Sequence, residues 1–316
     1  MANTGNPLET RKIGSLDVTV IGLGCNNFGG RIDAAASEAV IHAALDAGIN
    51  FFDTADVYGG TKSEEFLGQA LKSRRDEAII ATKFGHDVAP GKTGASPEYI
   101  RTAVEDSLHR LGTDRIDLYQ LHKPDASVPI ADTLGALNEL VVAGKVREIG
   151  CSNFSAEQLI AAKAAVAPGA AHFVSVQNHY SILHRSAETQ AIEEAAREGV
   201  ALLPYFPLAN GLLTGKYRKN QPLPTGTRIG PDGHFSGWLT DANLDAVEKL
   251  IAFAQQRDHS ILDLAYAWLL TQPVTASVIS GATKPEQAQA NAASGSWRLS
   301  SEEMAQVEGI VAGVDV

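Results

Sequence analysis

VTVIGLGCNNFGG, residues 18–30, is the stretch on which the fold turns. It begins as a β-branched, apolar run of the kind that forms a buried strand, and it ends in a loop of asparagines and glycines. In an open, doubly wound α/β sheet this first strand leads into a Gly-x-Gly-x-x-Gly turn that opens the first helix. Here Gly22 and Gly24 are followed by Cys25 and Asn26, and Asn27 stands where the third glycine would be. The open sheet is therefore the second choice, and the rest of the chain supports another architecture.

Seven more runs of the same kind follow, at NFFDTA (50–55), AIIATK (78–83), IDLYQLH (116–122), VREIGCS (146–152), FVSVQN (173–178), ALLPYF (201–206) and SVISGA (277–282). Each is short, largely apolar and bounded by polar or turn-forming residues, and helical patterns lie between them. Ser37 precedes the helix EAVIHAALDAG, which Gly48 can end. Ser96-Pro97 opens a second helix, Ser155 with Gln158 forms a capping box, and Pro285 opens PEQAQANAA. Eight strand-then-helix units predict an α/β fold of the (β/α)8 TIM barrel type.

Three segments lie outside the repeat. Residues 9–17 (ETRKIGSLD) read as a hairpin that plugs the lower end of the barrel. Residues 215–240 hold five glycines and three prolines, which predicts a long loop after strand seven, and such loops usually serve function. Residues 243–256 and 260–271 read as two extra helices before strand eight. No composition shift marks a boundary, so residues 1–316 are read as one domain.

The chain carries 26 basic and 37 acidic side chains, a net charge of −11, which disfavours nucleic acid and anionic membranes as partners. No apolar run is long enough to span a bilayer, and the polar start MANTGNPLETRK has no signal-peptide core. Only two cysteines occur, Cys25 and Cys151, at the ends of strands on opposite sides of the expected barrel, too far apart to bridge. No histidine pair has convincing metal-ligand spacing, so no metal is expected. These features predict a cytoplasmic enzyme acting on a small molecule, its oligomeric state unspecified.

Barrel chemistry sits at the C-terminal ends of the strands. Strand two ends at Asp53, strand three at Lys83 and strand four at His122, with Tyr58 in the loop after strand two. Taken singly, an aspartate there is usually a turn residue, a lysine a solvated charge, a tyrosine packing, and a histidine structural. Neighbouring strands are ~4.8 Å apart, so together the four can converge. A lysine ammonium beside a phenol lowers the phenol's pKa, and an aspartate keeps the buried ammonium charged. His122 can hydrogen-bond a substrate oxygen or share its proton with Tyr58. The set reads as a proton donor aimed at a carbonyl oxygen.

At these residues the chain resembles the aldo-keto reductase family. NFFDTADVYG (50–59), IIATKFG (79–85) and DLYQLHKPD (117–125) match its Asp, Tyr, Lys and His motifs. The likeness continues through GKVREIGCSNF (144–154), VQNHYSIL (176–183), PYFPLANGLLTGKY (204–217) and GATKPEQ (281–287). It implies reversible carbonyl reduction with NADPH/NADP+ lying across the barrel top. By motif, Ser152, Asn153 and Gln177 would hold the nicotinamide carboxamide, and Tyr205 would stack on the ring. Pro207, Leu208, Gly211, Leu212 and Lys216 belong to the stretch along the pyrophosphate. Gly281, Thr283, Lys284, Gln287 and Asn291 would hold the adenosine end. The turn before Pro285 leads into a helix N-terminus, a natural phosphate site, and Lys284 suits a 2′-phosphate.

Phe206 stands where this branch often has serine, and Cys25-Asn26-Asn27 is more polar than usual after strand one. Asn27 and Phe28 are substrate-contact candidates. Trp238 and Phe235, in the long loop, form either an apolar wall over the pocket or an anchor for the loop. Two other functions fit a barrel with these residues. A Schiff-base lyase would use Lys83 as nucleophile, but Asp53 favours the unreactive ammonium. A nucleotide-holding regulatory barrel with slow turnover would keep the same cofactor residues.

Overall fold

The computed structural model describes residues 7–225, 227–229 and 236–314. Eight parallel strands form the barrel: β3 (Ile21–Gly24), β4 (Phe51–Asp53), β5 (Ile79–Phe84), β6 (Ile116–Leu121), β7 (Val146–Ser152), β8 (Phe173–His179), β9 (Ala201–Tyr205) and β10 (Val278–Gly281). Their spatial order is β10-β3-β4-β5-β6-β7-β8-β9. The last gap closes just before β10. There the Leu202 N–H donates to Val274 O at 2.8 Å, and the Ala276 N–H donates to Leu202 O at 3.0 Å.

The first expected strand, 18–24, is broken in two. Its front half belongs to a hairpin, β1 (Thr10–Ile13) and β2 (Leu16–Thr19), and only Ile21–Gly24 enters the barrel. Two side chains make the corner. The Thr19 hydroxyl donates to Ile21 O at 2.8 Å, and the Thr19 N–H donates to Asn50 Oδ1 at 2.8 Å. Main-chain groups at the break thus bond to side chains instead of a ladder.

The hairpin plugs the barrel floor, as its position in the sequence suggests. Ile13, Leu16 and Val18 pack against Phe51, Leu118, Leu203 and Ile279 from inside the barrel. Each such buried side chain contributes about 1.5–3 kcal/mol. A larger apolar cluster lies outside the strands, between barrel and helices. Above the plug the inward positions turn polar, with Asp53, Lys83, Gln120 and Gln177 all buried. That step from an apolar to a polar layer positions the site.

Helix starts mostly follow their sequence signals. Ser96 caps α3 (Pro97–Leu111), with Gly112 in the left-handed conformation at its end, and Ser155 with Gln158 forms the expected capping box on α5 (Ala156–Ala164). The helix α1 (Ala34–Asp46) starts earlier than expected. Asp33, not Ser37, caps it, accepting from the Ala36 N–H, while Ser37 donates to Asp33 O. The two helices after strand seven are α7 (Asp241–Gln255) and α8 (Ile261–Leu270). Cys25 and Cys151 are both buried free thiols.

Candidate active site

Strand register brings the site together. Asp53 ends β4 beside Ala81 of β5, and Lys83 two residues on pairs with Gln120 of β6. Side chains at these inward positions share one layer of the barrel. Lys83 Nζ donates to Asp53 Oδ2 at 2.7 Å, to Thr54 O at 2.9 Å and to Tyr58 Oη at 3.4 Å. The other carboxylate oxygen, Asp53 Oδ1, accepts from Gln177 Nε2 at 2.9 Å and Gln120 Nε2 at 3.3 Å. The His122 ring meets the Tyr58 ring edge-on, with centroids 5.8 Å apart. All four expected catalytic side chains therefore converge, but no hydrogen bond joins His122 to Tyr58.

The electrostatics correct one expectation. Tyr58 sits above the ordinary phenol value, because burial outweighs the lowering effect of Lys83, and Asp53 raises it further. Lys83 pulls in the expected direction without winning. Burial pulls the Lys83 ammonium down, yet Asp53 and then Tyr58 carry it above its ordinary value, so it stays charged. His122 is pushed down to about 2, by burial first and Lys83 next. It is a neutral imidazole at physiological pH and is not a source of protons. Its Nδ1 is buried without a partner, which leaves the Nε2 edge for a substrate.

Tyr58 and His122 line a cavity of about 710 Å³ at the top of the barrel. Most of the expected cofactor positions line it too. Ser152, Asn153, Gln177 and Tyr205 line it from the ends of β7, β8 and β9, Pro207, Leu208, Gly211 and Lys216 from the segment after β9, and Gly281, Thr283, Lys284, Gln287 and Asn291 from β10 and the residues that follow it. Leu212 does not, since it is fully buried in the core behind the wall. Gln177 differs in detail: one N–H of its amide is given to Asp53 Oδ1, leaving its oxygen and the second N–H for a carboxamide. The Tyr205 hydroxyl donates to Asn153 Oδ1 at 2.9 Å, which fixes the ring at the cavity edge.

The cavity wall after β7 and β9 holds strained backbone. Asn153, Phe206 and Asn210 carry φ of 61°, 51° and 52°, in the left-handed region that ordinary residues avoid. Strain of this kind clusters where a ligand is clamped. Gly211 holds φ +104°, where a side chain would be strained, and a Cβ there would lie 2.6 Å from Lys216 Nζ, so the lysine would have to swing away.

The residues present fit an extended dinucleotide. Arg228 is partly buried, and among the described residues its guanidinium donates to amide oxygens, those of Asn210 at 3.2 Å, Asn26 at 3.1 Å and Asn27 at 2.9 Å. Burial, then Arg31, holds it below its ordinary value. Lys216 is lowered by burial, then by Arg31 and Arg228. Three cations crowd one trough, a donor set suited to a pyrophosphate. Sequence reading missed Arg31, Asn26, Asn210 and Arg228. For Arg228 the signal available was the length of the 215–240 loop, in which Lys216, Phe235 and Trp238 stood out but Arg228 did not.

The substrate candidates fare less well. Phe28 is fully buried in the core and does not line the cavity. Asn27 lines it, but its amide donates to Ala282 O at 3.2 Å and accepts from Arg228, so it holds the wall. Trp238 lies outside the cavity lining and stacks on His179, ring centroids 5.9 Å apart. Phe235 lies outside the described residues.

Asp56, between Asp53 and Tyr58, is a buried carboxyl that the sequence did not single out. Burial first, and Glu64 second, push it up to about 7. A raised carboxyl stabilises the fold below its ordinary value, and that contribution is lost as pH rises toward 7. The displacement corresponds to about 4 kcal/mol. Asp56→Asn should therefore be more stable than wild type at pH 8, with little advantage at pH 4. Thermal unfolding across that range checks it; parallel stability curves would contradict it.

Among the described residues no group of three His, Cys, Asp or Glu side chains could hold a metal, and no helix is long and apolar enough to cross a membrane. The family model "Aldo/keto reductase family" matches residues 20–312. Aldo-keto reductase YhdN of Bacillus subtilis (strain 168) is 37% identical over 305 residues, covering 94% of this chain and 91% of the relative. L-glyceraldehyde 3-phosphate reductase of Escherichia coli O157:H7 is 33% identical over 299 residues, covering 90% and 86%. A probable voltage-gated potassium channel subunit beta of Arabidopsis thaliana is 33% identical over 278 residues, covering 84% and 83%. The barrel and its site define an oxidoreductase acting on carbonyl and alcohol groups. The chain belongs to the aldo/keto reductase family.

Proposed function

We propose that this protein reduces an aldehyde or ketone to the alcohol with NADPH, and runs the reverse oxidation with NADP+, with Tyr58 as the proton donor. The observation that carries the reading is the buried Lys83 ammonium, 2.7 Å from Asp53 and 3.4 Å from Tyr58 Oη at the cavity floor. The nicotinamide's chemistry is hydride donation to the carbonyl carbon. Tyr58 holds its proton at neutral pH, since burial keeps the phenol above its ordinary value. It gives that proton to the carbonyl oxygen as negative charge develops there. Lys83 then stabilises the phenolate left behind. His122, neutral, donates one hydrogen bond to the same oxygen. The charged ammonium argues against a Schiff-base lyase, which needs a free amine.

On the cofactor side, Lys216 and Arg228 would hold the pyrophosphate, and Ser152, Asn153 and Gln177 would hold the carboxamide. Tyr205 offers a ring for stacking. The Lys284 backbone leads into α9 (Pro285–Ala293), whose first turn has no side-chain cap; Pro285 brings no N–H and the Gln287 N–H donates to Lys284 O, so the Glu286 N–H is the first-turn donor left for a phosphate. Lys284 adds the charge that selects a 2′-phosphate. Lys284→Ala should weaken NADPH binding about tenfold or more while NADH binding changes little, a loss on the scale of one charge-assisted contact. Equal losses for both would place the 2′-phosphate elsewhere. An NADPH-consumption screen over aldehydes and ketones, with the reverse reaction on alcohols, tests the reaction itself. Glyceraldehyde 3-phosphate belongs in that screen on the strength of the Escherichia coli relative's name.

A further inference from the structure

Gln120 is fully buried in the same inward layer as Asp53 and Lys83, and its backbone pairs with Lys83 in the sheet. A polar amide there needs a reason, because the layer below it is filled by apolar side chains. Its oxygen, Oε1, is buried without a hydrogen-bond partner, as is the neighbouring Ser175 hydroxyl. Leaving a buried acceptor unpaired costs stability, so the amide is not there for its oxygen. Its one hydrogen bond is from Nε2 to Asp53 Oδ1, at 3.3 Å. The barrel makes room for this reach. Gly150, inward on β7, leaves a gap in which a Cβ would lie 2.3 Å from Ser175 Oγ and 3.3 Å from Gln120 Cγ.

We infer that Gln120 is a positioning residue: it clamps the Asp53 carboxylate so that the opposite oxygen stays on Lys83. Asp53 is held on Oδ1 by two amides, Gln120 and Gln177, and on Oδ2 by the ammonium. Gln177 also faces the nicotinamide end of the cavity, so Gln120 is the half of the clamp that owes nothing to the cofactor. Without it the carboxylate gains freedom to turn, and the ion pair loosens. Lys83 then loses part of the lift that Asp53 gives it, and burial pulls the amine down. The other titratable groups facing Lys83 are Tyr58, Cys25, His122 and Asp56. None of them is hydrogen-bonded to the Gln120 side chain, whose bond goes to Asp53, so their effect on Lys83 is common to wild type and variant.

The inference rests on the reading of Asp53, Lys83 and Tyr58 as the proton machinery, and its test has an arm that does not need turnover. Gln120→Met keeps the length of the side chain and removes the donor. In the cofactor-free protein labelled with 13C at lysine Cε, the Lys83 resonance is expected to titrate at a pH lower than in wild type by about half to one pH unit. The basic limb of the kcat/KM profile for carbonyl reduction should move the same way, with KM for NADPH unchanged. Gln120→Leu is the second variant should methionine pack badly. A folded variant in which the Lys83 midpoint stays at the wild-type value overturns the inference. That result is separable from failure of the wider reading, which shows instead as full turnover in Tyr58→Phe.

Discussion

Tyr58→Phe is expected to lower kcat/KM for carbonyl reduction by about 10²–10⁴-fold, the range that a positioned general acid contributes. The substitution removes one hydroxyl and keeps the ring against His122 and Lys83. Binding of NADPH, followed by quenching of protein fluorescence, should stay close to wild type, because the trough cations and the adenosine end lie elsewhere in the cavity. The loss belongs in kcat, since the proton is passed only as the oxygen becomes negative. A phenylalanine variant that keeps wild-type turnover would show that the proton comes from another group.

Lys83→Met is the second large effect, and it falls on stability as well as rate. Lys83 is fully buried and bonded to a nearly buried Asp53. Removing one partner of such a pair leaves a buried charge alone, at a cost of about 3–5 kcal/mol. Turnover should fall about as far as in Tyr58→Phe, because the phenolate loses the charge that stabilises it. Adding Asp53→Asn removes the stranded carboxylate, so the double variant should recover much of the stability and none of the activity. Denaturant unfolding and steady-state kinetics on the two variants separate these effects. Recovery of activity in the double variant would mean that the ammonium is a structural charge only.

The barrel was legible because its signals are local. Eight apolar runs with turn residues at their ends and capped helices between them leave few alternatives. The boundary that misled was Val18–Gly24, where one apolar run serves two sheets and the corner is made by the side chains of Thr19 and Asn50, which no periodicity reveals. The convergence of Asp53, Tyr58, Lys83 and His122 was legible because strand ends fix their place. The fine chemistry was not. Whether Lys83 or burial prevails at Tyr58 depends on how deeply the phenol sits, and that is a property of the packed barrel. Arg228 is a loop cation until the chain folds it over Asn26, Asn27 and Asn210. Phe28 read as a pocket residue because it follows strand one, yet the chain turns and buries it in the core. Gln120 looked like one more strand residue, and only the side-chain geometry gives it to Asp53.

A crystal structure of the protein with NADP+ and a carbonyl-bearing inhibitor tests the central claim most directly. The carbonyl oxygen is expected within about 3 Å of Tyr58 Oη and within reach of His122 Nε2, with Lys83 still on Asp53. A carbonyl bound elsewhere in the cavity, or joined covalently to Lys83, would contradict it.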